Sequence, residues 1–179
     1  KGYAAKISFQ KKGIINAINL WSLNVNGLGS WPLSPKYFFS AEVFGGIKLP
    51  FKQPWFNQKF LGYGETFMQG YEYYVIDGVA GGFTKATLSR RLFDFNLGLP
   101  HQKGRAGIKI PIQVIGKVYG NTGYVHNPLP GDNGLSNKML YSGGFGIDIL
   151  TFYDITFKIE YTFNQIGQNG LFLHRKTIF

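Results

Sequence analysis

The sequence predicts an all-β chain, an antiparallel up-and-down transmembrane β-barrel wall of about eight strands. Three observations carry that prediction. Apolar and polar residues alternate with a period of two in segment after segment, and no segment of comparable length shows a 3.6-residue period. Charged residues make up only 16% of the 179 residues, against ~25% in an ordinary soluble domain, while aromatics reach 17%. No stretch offers the ~18–20 uninterrupted apolar residues of a membrane helix. A barrel escapes that requirement, because its lipid-facing and lumenal residues alternate and the mean hydropathy falls near zero, as it does here.

The segments follow in order. Tyr3, Ala5, Ile7 and Phe9 alternate with Lys6, Ser8 and Gln10, and Trp21, Leu23 and Val25 with Ser22, Asn24 and Asn26. A third segment sets Phe39, Ala41, Val43 and Ile47 against Ser40, Glu42 and Lys48. In the fourth, Ala86, Leu88 and Leu92 face away from Lys85, Thr87, Ser89 and Arg91. The fifth is the most regular: Ile108, Ile110, Ile112, Val114 and Val118 share one face, Lys109, Gln113, Lys117 and Tyr119 the other. Phe145, Ile147 and Ile149 then oppose Ser142, Gly144, Gly146 and Asp148. Ile155, Phe157, Ile159, Tyr161 and Phe163 oppose Thr156, Lys158, Glu160 and Thr162. The last segment, Gly170 to Phe179, loses the pattern at His174, Arg175 and Lys176, which suggests a bend at Gly170 or an end that leaves the sheet.

The apolar faces are continuous and aromatic-rich, while the opposite faces carry full charges in mid-strand. A soluble lipocalin-like barrel is the competing reading, with its apolar face turned inward. Lipid outside and a polar lumen inside accounts for both faces, and lipid then requires closure, because it leaves no partner for an open strand edge. The two longest links are the third (about 50–78) and the fifth (about 121–137). Both are odd-numbered, so they emerge on one side, while the tight sixth link (151–154) lies on the other. Long loops outside and short turns inside puts Phe179 on the periplasmic side.

Composition excludes several chemistries. There is no cysteine, hence neither a disulfide framework nor a thiolate metal site. Lys1 rather than Met opens the chain, as in a mature product or a piece of a longer protein. The net charge is +10, but the basic residues are spread over the polar faces rather than clustered, so a basic lumen is expected and nucleic-acid binding is not. His101, His126 and His174 stand on a turn, a loop and a strand end with no metal-ligand spacing, and a solvated or capping role is expected for each. No Ser, His and acid converge in a nucleophile motif, so no catalytic residue, cofactor or metal is expected.

The third link reads Phe60-Leu61-Gly62-Tyr63-Gly64-Glu65-Thr66-Phe67-Met68-Gln69-Gly70-Tyr71 and leads through Asp77-Gly78 into a glycine-rich strand. With it the chain resembles the BamA superfamily of outer-membrane insertases and two-partner-secretion transporters. Members carry a long loop folded into the lumen that ends in a hydrophobic-Arg-Gly-aromatic tetrad, and Met68-Gln69-Gly70-Tyr71 sits where that tetrad belongs. Tyr119-Gly120-Asn121-Thr122-Gly123 is similar to the family's aromatic-x-Asp-x-Gly strand motif. Gly143-Gly144-Phe145-Gly146-Ile147-Asp148 and Phe157-Lys158-Ile159-Glu160-Tyr161 resemble the two strands before the last, and Asn169 to His174 the last.

The resemblance implies that residues 1–179 are the C-terminal half of a sixteen-stranded barrel in the bacterial outer membrane. Its role would be to insert or translocate polypeptides without a cofactor, through a weak seam at the last strand. Expected partners are lipid and lipopolysaccharide, unfolded outer-membrane or secreted polypeptides, and N-terminal strands and POTRA domains. Gly170 and Phe172 mark the seam, and Phe179 the C-terminal assembly signal. Gln69 and Asn121 replace the family's arginine and aspartate. Losing one charge would strand the other in a confined site, whereas losing both leaves two amides able to bond to each other as a neutral latch. The alternative is a passive eight-stranded pore or anchor barrel, whose interior side chains would leave no room for the long loop.

Overall fold

A computed structural model describes residues 1–13, 19–64, 66–98, 109–151 and 155–176. Within them the chain is all-β. The elements are β1 (Gly2–Lys12), β2 (Leu20–Pro32), β3 (Tyr37–Leu49), β4 (Lys59–Leu61), β5 (Ile76–Asp77), β6 (Ala80–Gly98), β7 (Lys109–His126), β8 (Met139–Leu150), β9 (Thr156–Asn164) and β10 (Asn169–Lys176). Eight of them form one sheet in the order β1-β2-β3-β6-β7-β8-β9-β10, a meander interrupted only by the loop that carries the short β4–β5 pair. Neighbours are antiparallel throughout. Among the described residues no ladder joins β1 to β10, and both are edge strands.

Register turns the period-two alternation into two faces. Trp31 pairs with Phe39, Phe39 with Leu88, Leu88 with Val118, Val118 with Phe145, Phe145 with Tyr161, and Tyr161 with Leu171. Tyr3 extends this apolar row onto β1, its ring 5.6 Å from Trp31 and its hydroxyl accepting the Trp31 indole N–H at 2.9 Å. Aromatic and β-branched residues opposed in this way are the units of sheet stabilisation. The row stays uncovered, with Phe145 at 53% exposure and Leu171 at 63%.

The fourth segment runs further than its alternation suggests. β6 continues to Gly98 through a bulge between Arg91 and Phe93. An extra residue on one strand resets which side chains face which way. As a result Phe93, Phe95 and Leu97 pair with Val114, Ile112 and Ile110 and stay on the apolar face. The fifth link is shorter than expected, because β7 remains paired through His126; Asn121 is a mid-strand residue and His126 a strand end. Neither the bend expected at Gly170 nor an end that leaves the sheet interrupts the pairing of β10, which keeps unbroken register with β9 from Asn169 to Lys176; residues 177–179 lie outside the described residues. Phe179, His101, Glu65 and Ile108 lie outside the described residues.

The buried core lies on the polar face, beneath the long loop. Loop residues Phe60, Leu61, Met68, Tyr71 and Ile76 pack on Phe83 of β6, Val125 of β7 and Leu140 of β8, with Phe44 and Tyr74 at the margin. The two longest links meet at the same end of the sheet. Asn127 donates to the Gln58 side-chain oxygen at 3.1 Å, Ser136 to the Asp77 carbonyl at 2.8 Å and Asn133 to the Val75 carbonyl at 3.1 Å.

Candidate functional site

The site is built where the loop crosses β7, β8 and β9. Gly70 can take its position because it has φ +88°, a left-handed conformation that glycine adopts without strain. It also sits so close to the sheet that a Cβ there would lie 2.8 Å from Thr162 Cγ2 and 2.9 Å from Ser142 Cβ. The sheet then grips the loop backbone. Asn164 donates its amide to the Gly70 carbonyl at 2.7 Å, and Ser142 Oγ and Asn121 Nδ2 (3.4 Å) both donate to the Gln69 carbonyl. Tyr71, 1% exposed, donates its hydroxyl to the Tyr141 carbonyl at 3.2 Å. Met68 fills the space left by Gly123, where a Cβ would stand 3.1 Å from its sulfur.

Two residues of the tetrad thus touch β7, Gln69 at Asn121 and Met68 at Gly123, while Tyr119 turns to Thr162, and the expected latch differs in its atoms. The two amide side chains do not bond to each other. Asn121 reaches the loop's backbone, while the Gln69 side chain donates to Glu160 Oε2 on β9 at 3.0 Å. The Asn121 amide also donates to Ser142 Oγ at 3.1 Å, and that hydroxyl in turn donates to the same Gln69 carbonyl. The carboxylate that Gln69 meets is not left uncompensated. Lys117 of β7 forms ion pairs with Glu160 and with Asp148 of β8, its side chain 5% exposed and that of Glu160 1%.

A lane of small residues in β8 permits these contacts across two strands. Gly146 stands between Lys117 and Glu160 in the register, and Gly144 between Tyr119 and Thr162. A Cβ at Gly144 would fall 2.7 Å from the Tyr119 hydroxyl, which instead reaches Thr162 Oγ1 at 2.7 Å. At Gly146 it would fall 2.4 Å from the Ile159 carbonyl and 3.2 Å from Glu160 Cγ.

The loop also holds the edge of the sheet. Phe67 stacks on His174 of β10 at 5.7 Å, Tyr73 lies 5.3 Å from Phe172, and Tyr74 donates to Gln168. Phe172 and His174 share the polar face with Gly170, whose Cβ would touch the Phe172 ring at 3.0 Å. Glu72 accepts the Gly70 N–H at 2.7 Å. Burial raises its pKa, and the neighbouring Glu160 charge adds to that, against the opposing pull of its backbone hydrogen bonds and Lys85. Burial likewise raises Tyr71, and it lifts Tyr63 to about 12 together with the hydrogen bond and charge of Asp77.

Between loop and sheet lies a cavity of about 1200 Å³ lined by every strand of the large sheet, from Lys6 of β1 through Asn24, Ser40, Thr87, Lys117, Asp148 and Lys158 to His174 of β10. The sheet is thus strongly curved around its polar side. Lysines outnumber acids on that lining. Sequence reasoning put Lys117, Asp148 and Glu160 on one face, yet missed that they meet, since the register that aligns them is not written in local pattern. It also missed Ser142, Thr162 and Asn164, whose only sequence signal is their polar parity.

Comparison with protein-family models, with curated proteins and with solved structures finds no match for this chain.

Proposed function

We propose that this chain is wall and lumenal loop of a bacterial outer-membrane β-barrel that inserts or translocates other polypeptides. The observation that carries this reading is the seating of Met68 and Gln69 on Gly123 and Asn121, two motifs about fifty residues apart whose proximity the family resemblance implies. A passive wall gives no reason to bury a tetrad by its backbone carbonyls under side chains of three strands. Support for lipid on the other side comes from the uncovered apolar row from Tyr3 to Leu171, since a contiguous face of that extent in water drives association.

In this reading the basic, loop-filled cavity is the lumen, and β10 is the seam strand. Opening of the seam frees a row of backbone donors and acceptors, and an incoming strand adds by β-augmentation. The loop takes part because Phe67 and Tyr73 hold His174 and Phe172 of that strand. The test is insertion of a urea-unfolded outer-membrane protein into vesicles carrying this protein, followed by protease protection. Faster insertion than in empty vesicles, slowed by Gly70→Ala in a barrel that still folds, is expected. Equal rates, with a density map in which β1 closes on β10, would leave an anchor or pore.

A further inference from the structure

Apart from its contact with Gln69, the Glu160 carboxylate takes part in a second constellation, which reaches the loop and the sheet edge. Glu72 of the loop, Glu160 of β9 and His174 of β10 each present one ligating atom, and these atoms lie within 4.8 Å of one another. Two of the three groups have unused capacity. Glu72 Oε1 and His174 Nε2 are both shielded from solvent and make no hydrogen bond, although the two residues are only half-buried and the His174 side chain is 30% exposed. Native proteins seldom leave such atoms unsatisfied, and each instance calls for an explanation. Of the two Glu160 oxygens, Oε1 is held by Lys117, and Oε2, which accepts the Gln69 amide at 3.0 Å, lies 3.7 Å from His174 Nε2, too long for a hydrogen bond to the ring.

We propose that Glu72, Glu160 and His174 form a binding site for a divalent transition-metal ion, which staples the loop to the last two strands. The inference rests on the docked loop alone and stands whether or not the barrel handles polypeptides. One imidazole and two carboxylates are a ligand set of the zinc type, and the imidazole selects against magnesium and calcium. Bonds of ~2.1 Å at tetrahedral angles put ligand atoms roughly 3.4 Å apart, so the three need to draw in by about an ångström. Glu72, on a loop side chain, supplies that movement. The imidazole is already oriented: it stacks on Phe67 at 5.7 Å and on Phe172 at 6.2 Å, within 5° of parallel to the latter. Packing that fixes a ligating ring in this way is a usual support of metal sites.

Charge allows a cation here. Although lysines outnumber acids over the cavity as a whole, those beside the cluster (Lys117, Lys85 and Lys158 of β7, β6 and β9) are met by the four carboxylates Glu42, Glu72, Asp148 and Glu160. Lys117 retains Asp148 if Glu160 turns partly to a metal. Spacing in the sequence hides the site, because its ligands come from three separate elements.

The experiment uses the detergent-solubilised protein without a histidine tag. Zn²⁺ alone is titrated calorimetrically, and Co²⁺ provides the visible spectrum of a nitrogen- and oxygen-ligated site. Stoichiometric binding is expected, weakened more than ~tenfold by Glu72→Gln and by His174→Phe, which keeps the aromatic stack, and unaffected by His126→Ala. A wild-type protein that shows no saturable Zn²⁺ binding and no Co²⁺ bands overturns the proposal. So does binding that survives both ligand substitutions or depends on His126.

Discussion

Replacement of Gly70 by alanine isolates the contact between loop and sheet. The added Cβ meets two penalties. At φ +88° an L-residue is strained by about 1–2 kcal/mol, and contacts of 2.8 and 2.9 Å to Thr162 and Ser142 overpack the interface by a further ~1–3 kcal/mol. The sum, about 2–5 kcal/mol, shifts the docking equilibrium by roughly thirtyfold to several-thousandfold. Gly64→Ala is the internal control, because Gly64 has φ +74° but nothing within 4 Å of its would-be Cβ, leaving only the strain. Hydrogen exchange at the Tyr71 and Tyr74 amides, which bond to the Met68 and Tyr71 carbonyls at 3.0 Å each, reads the opening directly. Gly70→Ala should expose both amides far more than Gly64→Ala does, while amides in the β7–β8 ladder keep their protection. Equal protection in the two variants would refute the close-approach argument.

Further outcomes follow from the same geometry. Lys117→Met leaves Glu160 and Asp148 without their shared cation, and should lower unfolding stability by about 3–5 kcal/mol in denaturant titrations. Gly146→Leu should destabilise as well, by pushing on Glu160 and the Ile159 carbonyl; a neutral result would remove the small-residue lane from the account. Tyr119→Phe deletes the bond to Thr162, whose residue is 1% exposed, at a cost of about 1–3 kcal/mol in thermal or chemical unfolding. For Tyr63 the raised pKa means that the folded loop disfavours the phenolate. Loop stability is therefore lost as pH climbs from the ordinary value of 10.0 towards about 12, and Tyr63→Phe should flatten loop proteolysis rates over that window.

Much of the architecture was legible because a strand with one apolar face writes its period into the sequence. The parity read for Phe39 and Val43 against Glu42 and Lys48 holds in the sheet, as does that for Phe157 and Ile159 against Lys158 and Glu160. Where two structural demands overlap, the pattern fails. The bulge at Arg91–Phe93 shifts parity, so the rest of β6 looked like the start of a link. Phe44, Phe83 and Leu140 are apolar on the polar face because the loop covers them, a fact no strand contains by itself. The loop tetrad and the Tyr119–Gly123 segment were found from motif resemblance. Their partners Ser142, Thr162 and Asn164 were not, since a polar residue at even parity is unremarkable until register sets it beneath Gly70.

The sheet recognises the loop chiefly through carbonyl oxygens, those of Gln69 and Gly70, offered to Asn121, Ser142 and Asn164. Every amino acid carries the same carbonyl. Selection acting on this junction is therefore strict about the shape of the chain at 70 and lenient about the side chain at 69. A change of side chain at 69 leaves the docked backbone intact, because the cation that balances Glu160 is Lys117 on a strand and not a group of the loop.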